Sequence, residues 1–126
     1  MDELQKIKIR TFLKEFKKFA SSKRGIYLIP REESLKTLAD LGLTKKNFKE
    51  IIMTLSVMDY CEGPKKDIDR SGEIWVFGKQ IGGKEIYIKL KVAQVSGNKI
   101  AKCISFHPAT FPLCFPFQPN ERKEES

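Results

Sequence analysis

Between Tyr87 and His107 the chain places a tyrosine, two lysines, a serine and its single histidine on two neighbouring segments. Residues 85–92 read Glu-Ile-Tyr-Ile-Lys-Leu-Lys-Val, a strict polar–apolar alternation. Side chains of a strand alternate between faces, so Ile86, Ile88, Leu90 and Val92 point to a core while Tyr87, Lys89 and Lys91 point away from it. A second strand, Lys99 to His107, follows Ser96-Gly97-Asn98. A three-residue loop with Asn98 left-handed pairs Val95 with Lys99. Counting back sets Lys91 opposite Cys103, Lys89 opposite Ser105 and Tyr87 opposite His107, with Ile104 and Phe106 joining Leu90 and Ile88. A two-residue Gly97-Asn98 turn would shift this register by one and break the face match.

The resulting face suits cleavage of RNA without a metal. A base must take the proton of the ribose 2′-hydroxyl, an acid must protonate the leaving 5′-oxygen, and cations must stabilise the charge on the phosphorane. Histidine serves the first two roles near neutral pH, which makes His107 the candidate acid or base. Tyr87 is placed to stack on a base or assist proton transfer, and Lys89 to hold the scissile phosphate. Lys65, Lys66 and Arg70, on a charged loop that reaches this face, are candidate RNA contacts together with Lys91 and Ser105. Lysines on an exposed strand face also protect sheet edges, so a purely solvated face is the competing reading. No metal-ligand set, phosphate-binding glycine loop or nucleophile elbow is present, and no cofactor is expected.

The elements that must carry this face are legible upstream. Ile9, Phe12, Leu13, Phe16, Phe19 and Ala20 recur at helical spacing and predict an amphipathic helix ending near Ser21. Gly25 to Ile29 reads as an apolar connector. A second helix starts at Pro30 and ends at Gly42, with Leu43 placed to meet Leu38 in a Schellman cap. Thr44 caps a third helix with a stripe of Phe48, Ile51, Ile52 and Leu55. Residues 63–72 read as a charged loop. Glu73 to Lys79 is a strand that Gly82-Gly83 turns into the Tyr87 strand, pairing Trp75 with Leu90 and Phe77 with Ile88. The proline-punctuated stretch from Phe111 to Phe117 is an extended segment laid on the body. The expectation is one α+β domain over residues 1–119, with helices packed on a three- or four-stranded antiparallel sheet, and a charged, frayed tail at 120–126.

Composition narrows the partners. The chain has 126 residues and a net charge of +8, with 24 Lys and Arg against 16 Asp and Glu, and a basic body suits a polyanion. There is no bilayer-spanning apolar run, and the first residues lack a signal-peptide core, so a cytoplasmic protein is expected. Cys61, Cys103 and Cys114, an odd number at wide spacings, fit neither a disulfide framework nor a zinc site.

Several blocks together resemble the MqsR family, the toxins of bacterial type II toxin–antitoxin pairs. They are Leu41-Gly42-Leu43, the helix ending in Leu55, Asp59-Tyr60, Gly63-Pro64, Trp75-Val76-Phe77-Gly78, Tyr87 to Val92 and Lys102 to Pro108. The resemblance spans roughly residues 38 to 115 and leaves the first thirty uncovered. It implies a RelE-like fold and a ribosome-independent mRNA endoribonuclease that needs no metal. It also implies a partner, an antitoxin with a zinc-binding N-terminal domain. The family's functional tyrosine falls on Tyr87, and its C-terminal lysine falls on His107. A further family lysine aligns near Glu62, with Lys65 or Lys66 as substitutes, and the family glutamine falls on Val76, which has no hydrogen-bonding group. Two other readings use the same residues: a nucleic-acid-binding module without catalysis, and a protein whose Phe-rich C-terminal segment docks on another chain.

Overall fold

Helix α1 spans Asp2–Ala20 and buries Ile9, Phe12, Leu13, Phe16 and Ala20 along one face, with Asp2 and Glu3 in its first turn and Lys17 and Lys18 in its last. These charges complement the helix dipole, while the apolar stripe seats the helix on the sheet. Phe12 stacks on Trp75 at 4.9 Å and 15°. In this computed structural model, which describes residues 2–68 and 70–119, α1 is followed by β1 (Ile26–Leu28), α2 (Glu32–Asp40) and α3 (Lys45–Met53). A single 3₁₀ turn at Val57–Asp59 leads to β2 (Tyr60–Lys66), β3 (Glu73–Ile81), β4 (Lys84–Val95) and β5 (Asn98–Pro108). The expected 120–126 tail and Asp69 lie outside the described residues.

The expected helix caps form. Leu43 donates its N–H to the Leu38 carbonyl and Gly42 donates to Ala39, with Gly42 at φ +65°. That pair of bonds is a Schellman motif, and glycine adopts its left-handed position without a Cβ clash. Thr44 and Asn47 form a reciprocal capping box at the start of α3. The Ser34 hydroxyl of α2 accepts the Phe106 N–H of β5 at 3.1 Å. Helix α2 thereby covers the edge of β5 beyond the reach of β1.

The sheet has five strands in the order β1-β5-β4-β3-β2, and it is mixed, because β1 runs parallel to β5. This corrects the expectation of three or four antiparallel strands. Two segments read as connections are strands at the two edges. Ile26–Leu28 is too short to show an alternation. The Gly63-Pro64 step of β2, which reads as a turn, is tolerated because an edge strand does not need every N–H for pairing. Lys65 and Lys66 therefore stand on a strand opposite Ile74 and Glu73, and the loop shrinks to residues 67–72.

Strands β3 and β4 pair as the alternation requires, Trp75 with Leu90 and Phe77 with Ile88, through a Gly82-Gly83 turn with both φ angles positive. The β4–β5 connection differs from expectation. Its turn is two residues, Ser96 at φ +51° and Gly97 at φ +81°, which pairs Val95 with Asn98. A bulge at Ile104 then inserts one residue, so Tyr87–His107 and Lys89–Ser105 pair as expected, while Lys91 lies opposite Lys102 and Leu90 opposite Cys103. Cys103 consequently joins the core, and Ile104 lines a cleft on the other face beside Lys89.

The core lies between one sheet face and the helices. Phe16, Phe77, Phe106, Ile88 and Leu90 are fully buried there, each stabilising the fold by about 1.5–3 kcal/mol. The C-terminal segment is held by Leu113, whose N–H donates to Glu85 at 2.9 Å. Leu113 and Phe115 lie against Gly78, where a Cβ would come within 2.6 and 2.8 Å of them. Phe117 packs on Tyr60 at 5.8 Å. From Leu113 to Phe117 the segment lies on the body as expected, its three large side chains occupied internally, whereas Phe111 stands 62 % exposed.

Candidate nucleic-acid interface

The face opposite the helices carries Tyr87, Lys89 and His107. Tyr87 and His107, cross-strand neighbours, stack with centroids 5.3 Å apart and planes 17° from parallel. Offset stacking of this kind favours one ring orientation. The His107 Nδ1 lies 2.9 Å from the Pro108 carbonyl oxygen. A carbonyl only accepts, so Nδ1 carries the proton of the neutral ring and Nε2 offers a lone pair. Lys89 follows along β4, its ammonium 5.9 Å from the centre of the Tyr87 ring.

Electrostatics distinguish these groups. Burial raises the Tyr87 phenol above its ordinary range; Lys65 opposes the rise and Glu62 adds to it. Burial lowers the Lys89 ammonium, and the nearby Arg31 and Lys65 lower it further, against Glu62 and Asp67. Lys102 is lowered by burial and by Arg70 and Lys91. Charges are crowded here because seven cationic side chains share one cleft of about 330 Å³: Arg31, Lys65, Lys66, Arg70, Lys89, Lys91 and Lys102. Asp67 is the one carboxylate among the described residues lining it, and Ile74 and Ile104 are among its apolar lining.

Lys65, Lys66, Arg70 and Lys89 thus come together as the sequence suggests. Two other candidates do not present themselves to solvent. Lys91 is 3 % exposed and pairs with Asp67 at 2.6 Å, with Lys102 opposite it in the register and Gly72 packed against its side chain. Ser105 is also 3 % exposed, enclosed in the centre of the sheet. His107 stands at the margin, where it lines a smaller groove with Glu33, Lys36 and Asp40. Tyr87 and Lys89 connect it to the cation cleft. Val76 is buried between Glu62 and Lys89.

Arg31 and Lys102 are members of the cleft that the sequence reading did not include. Lys102 carried a signal: in an unbulged strand it would project into the core beside Ile104 and Phe106, a cost that a bulge relieves. Arg31 occupies the N-cap position of α2 without capping it, and nothing in its local pattern points to the sheet. The cysteines take no part. Burial pushes the Cys61 thiol up to about 12 and raises Cys103 also, and Cys114 is an exposed free thiol. Among the described residues no cluster of His, Cys, Asp or Glu is arranged to hold a metal ion, and no helix is long and apolar enough to cross a membrane. Comparison with family models, curated proteins and solved structures finds no match to this chain, which leaves geometry and chemistry as the basis for assigning its function.

Proposed function

We propose that the chain is the toxin of a type II toxin–antitoxin pair, a metal-independent, sequence-preferring mRNA endoribonuclease with a RelE-like fold. The observation that carries this reading is the stacked Tyr87–His107 pair at the margin of a cleft lined by cations, with Lys89 between them. Helices on one sheet face and an uncovered basic stretch on the other support it. Phosphates bind along Lys65, Lys66, Arg70 and Lys102, and Tyr87 holds the imidazole plane and stacks on a base. His107 Nε2 takes the proton of the 2′-hydroxyl. The 2′-oxygen bonds to phosphorus, the bond from phosphorus to the 5′-oxygen breaks, and Lys89 gives its proton to that leaving oxygen. Its lowered pKa makes its ammonium a better acid than an ordinary lysine. Lys65 offsets the charge on the phosphorane. The products are a 2′,3′-cyclic phosphate and a 5′-hydroxyl. On this reading the partners are mRNA and a cognate antitoxin with a zinc-binding N-terminal domain, met in the cytoplasm.

A second reading, nucleic-acid binding without cleavage, is favoured by one observation: His107 lines the groove beside α2 and not the cation cleft itself. Incubation of the purified chain with a long single-stranded RNA in EDTA separates the two. Discrete products ending in 2′,3′-cyclic phosphate are expected. Intact RNA held with strongly salt-dependent affinity would instead support the second reading.

A further inference from the structure

A second concavity, sharing no residue with the cation cleft, runs along β1 between that strand and helices α2 and α3, with a volume of about 910 Å³. Its lining is apolar, from Ile26, Leu28, Leu35, Leu38, Phe48 and Ile100. Two large apolar side chains at its surface stay open to solvent, Tyr27 at 50 % and Leu35 at 49 % exposure. Arg24, Lys45, Lys46 and Lys49 stand around it, and among the described residues lining it none is acidic. None of these four cations is in an ion pair within the described residues. Among the described residues no strand lies beyond β1 in the sheet order.

We propose that this groove docks an acidic segment of another protein, with apolar anchors on the groove floor, carboxylates against the four cations and backbone beside the edge of β1. An apolar floor within a polar rim is the layout of a recognition surface, and strand addition at a sheet edge is a recurrent way to hold a peptide. Charge selects the occupant. A second copy carries the same net charge of +8 and the same cationic rim, which oppose its approach. The chain's own residues 120–126, Asn-Glu-Arg-Lys-Glu-Glu-Ser, offer no apolar anchor. An acyl chain would fill the floor but leave the strand edge unused. The occupant touches Leu28 and Pro30, whereas Ile29 and Arg31 line the cation cleft. One short connection therefore separates the two sites, and the segment and a nucleic acid bind together. This proposal stands whether or not the chain cleaves RNA.

Selection of a random dodecapeptide library on the full-length protein tests it. Enriched peptides are expected to combine apolar residues with an excess of Asp and Glu. They should bind at least tenfold more weakly to Leu35→Glu and to the Lys45→Glu/Lys46→Glu double variant, both at exposed positions, and equally well to Lys89→Ala. Failure to enrich any peptide, enrichment of basic ones, or unchanged binding to both groove variants would overturn the proposal. So would displacement of the peptides by RNA, which would put them in the cation cleft. Two further results would reassign the groove: sedimentation with phosphatidylglycerol vesicles that Leu35→Glu abolishes, or self-association that the same substitution abolishes.

Discussion

On one side of β3 and β4, Trp75, Phe77, Ile88 and Leu90 are buried against the helices; one residue along, Val76, Tyr87, Lys89 and Lys91 form the opposite face. The same backbone builds both, and a single step in the period-two alternation separates an apolar packing surface from a cationic one. The two faces differ in more than polarity. Along β3 and β4 the helix side is buried, whereas the other side is covered only at its ends, by Leu113 and Phe115 over Gly78 and by Asp67 and Gly72 over Lys91. What stays open between these covers is Lys65, Lys89 and Lys102 beside the Tyr87–His107 stack. A basic face becomes a site where part of it is enclosed, because burial and crowding alter the cations it contains.

The largest stability effect on the open face should come from its buried ion pair. Lys91→Met removes the ammonium that bonds the Asp67 carboxylate and should destabilise the fold by about 1.5–3 kcal/mol, the range of a hydrogen bond between charged groups, read as a lower midpoint of urea unfolding. A change within a few tenths would mean that the face has no interior of its own. Gly78→Ala should cost about 1–3 kcal/mol, since the new Cβ meets Leu113 and Phe115. It should also make the segment after Pro108 more sensitive to protease, and wild-type resistance would show that the cover is not seated on Gly78.

Smaller effects sharpen the contrast between binding and chemistry. Lys89→Arg keeps the charge but holds its proton too firmly to act as an acid. RNA affinity should stay within about twofold while the cleavage rate falls; equal losses would assign Lys89 to binding alone. The wild-type rate should decline on the alkaline side. Lys89 supplies its proton only while charged, and with its pKa lowered that charge is lost before pH reaches 10.5, the ordinary lysine value. A limb set at or above that value would contradict the buried setting of Lys89. Lys102→Ala and Arg31→Ala should each reduce the slope of log affinity against log salt by about one.

Much of this was legible in the chain. The alternation of residues 85–92, the Gly82-Gly83 turn and the caps at Gly42 and Thr44 each have a local cause, and each formed. The departures have longer-range causes. The β4–β5 turn and the Ile104 bulge compensate each other, so the pairing at Tyr87 and Lys89 held while Lys91, Cys103 and Ile104 changed neighbours. Strand β1 exists only because β5 offers it an edge, and a three-residue segment has no periodicity to reveal that. Arg31 enters the cleft through the path of the β1–α2 connection, which no local pattern records.

On the proposed mechanism His107 moves a proton of RNA held by the neighbouring cations. The direct measurement is single-turnover cleavage and equilibrium binding of one RNA, in EDTA, by the wild type and by His107→Ala. For His107→Ala, affinity within about twofold of the wild type and a rate lower by roughly 10²–10⁴ are expected. An unchanged rate, or losses of rate and affinity in equal proportion, would contradict that mechanism.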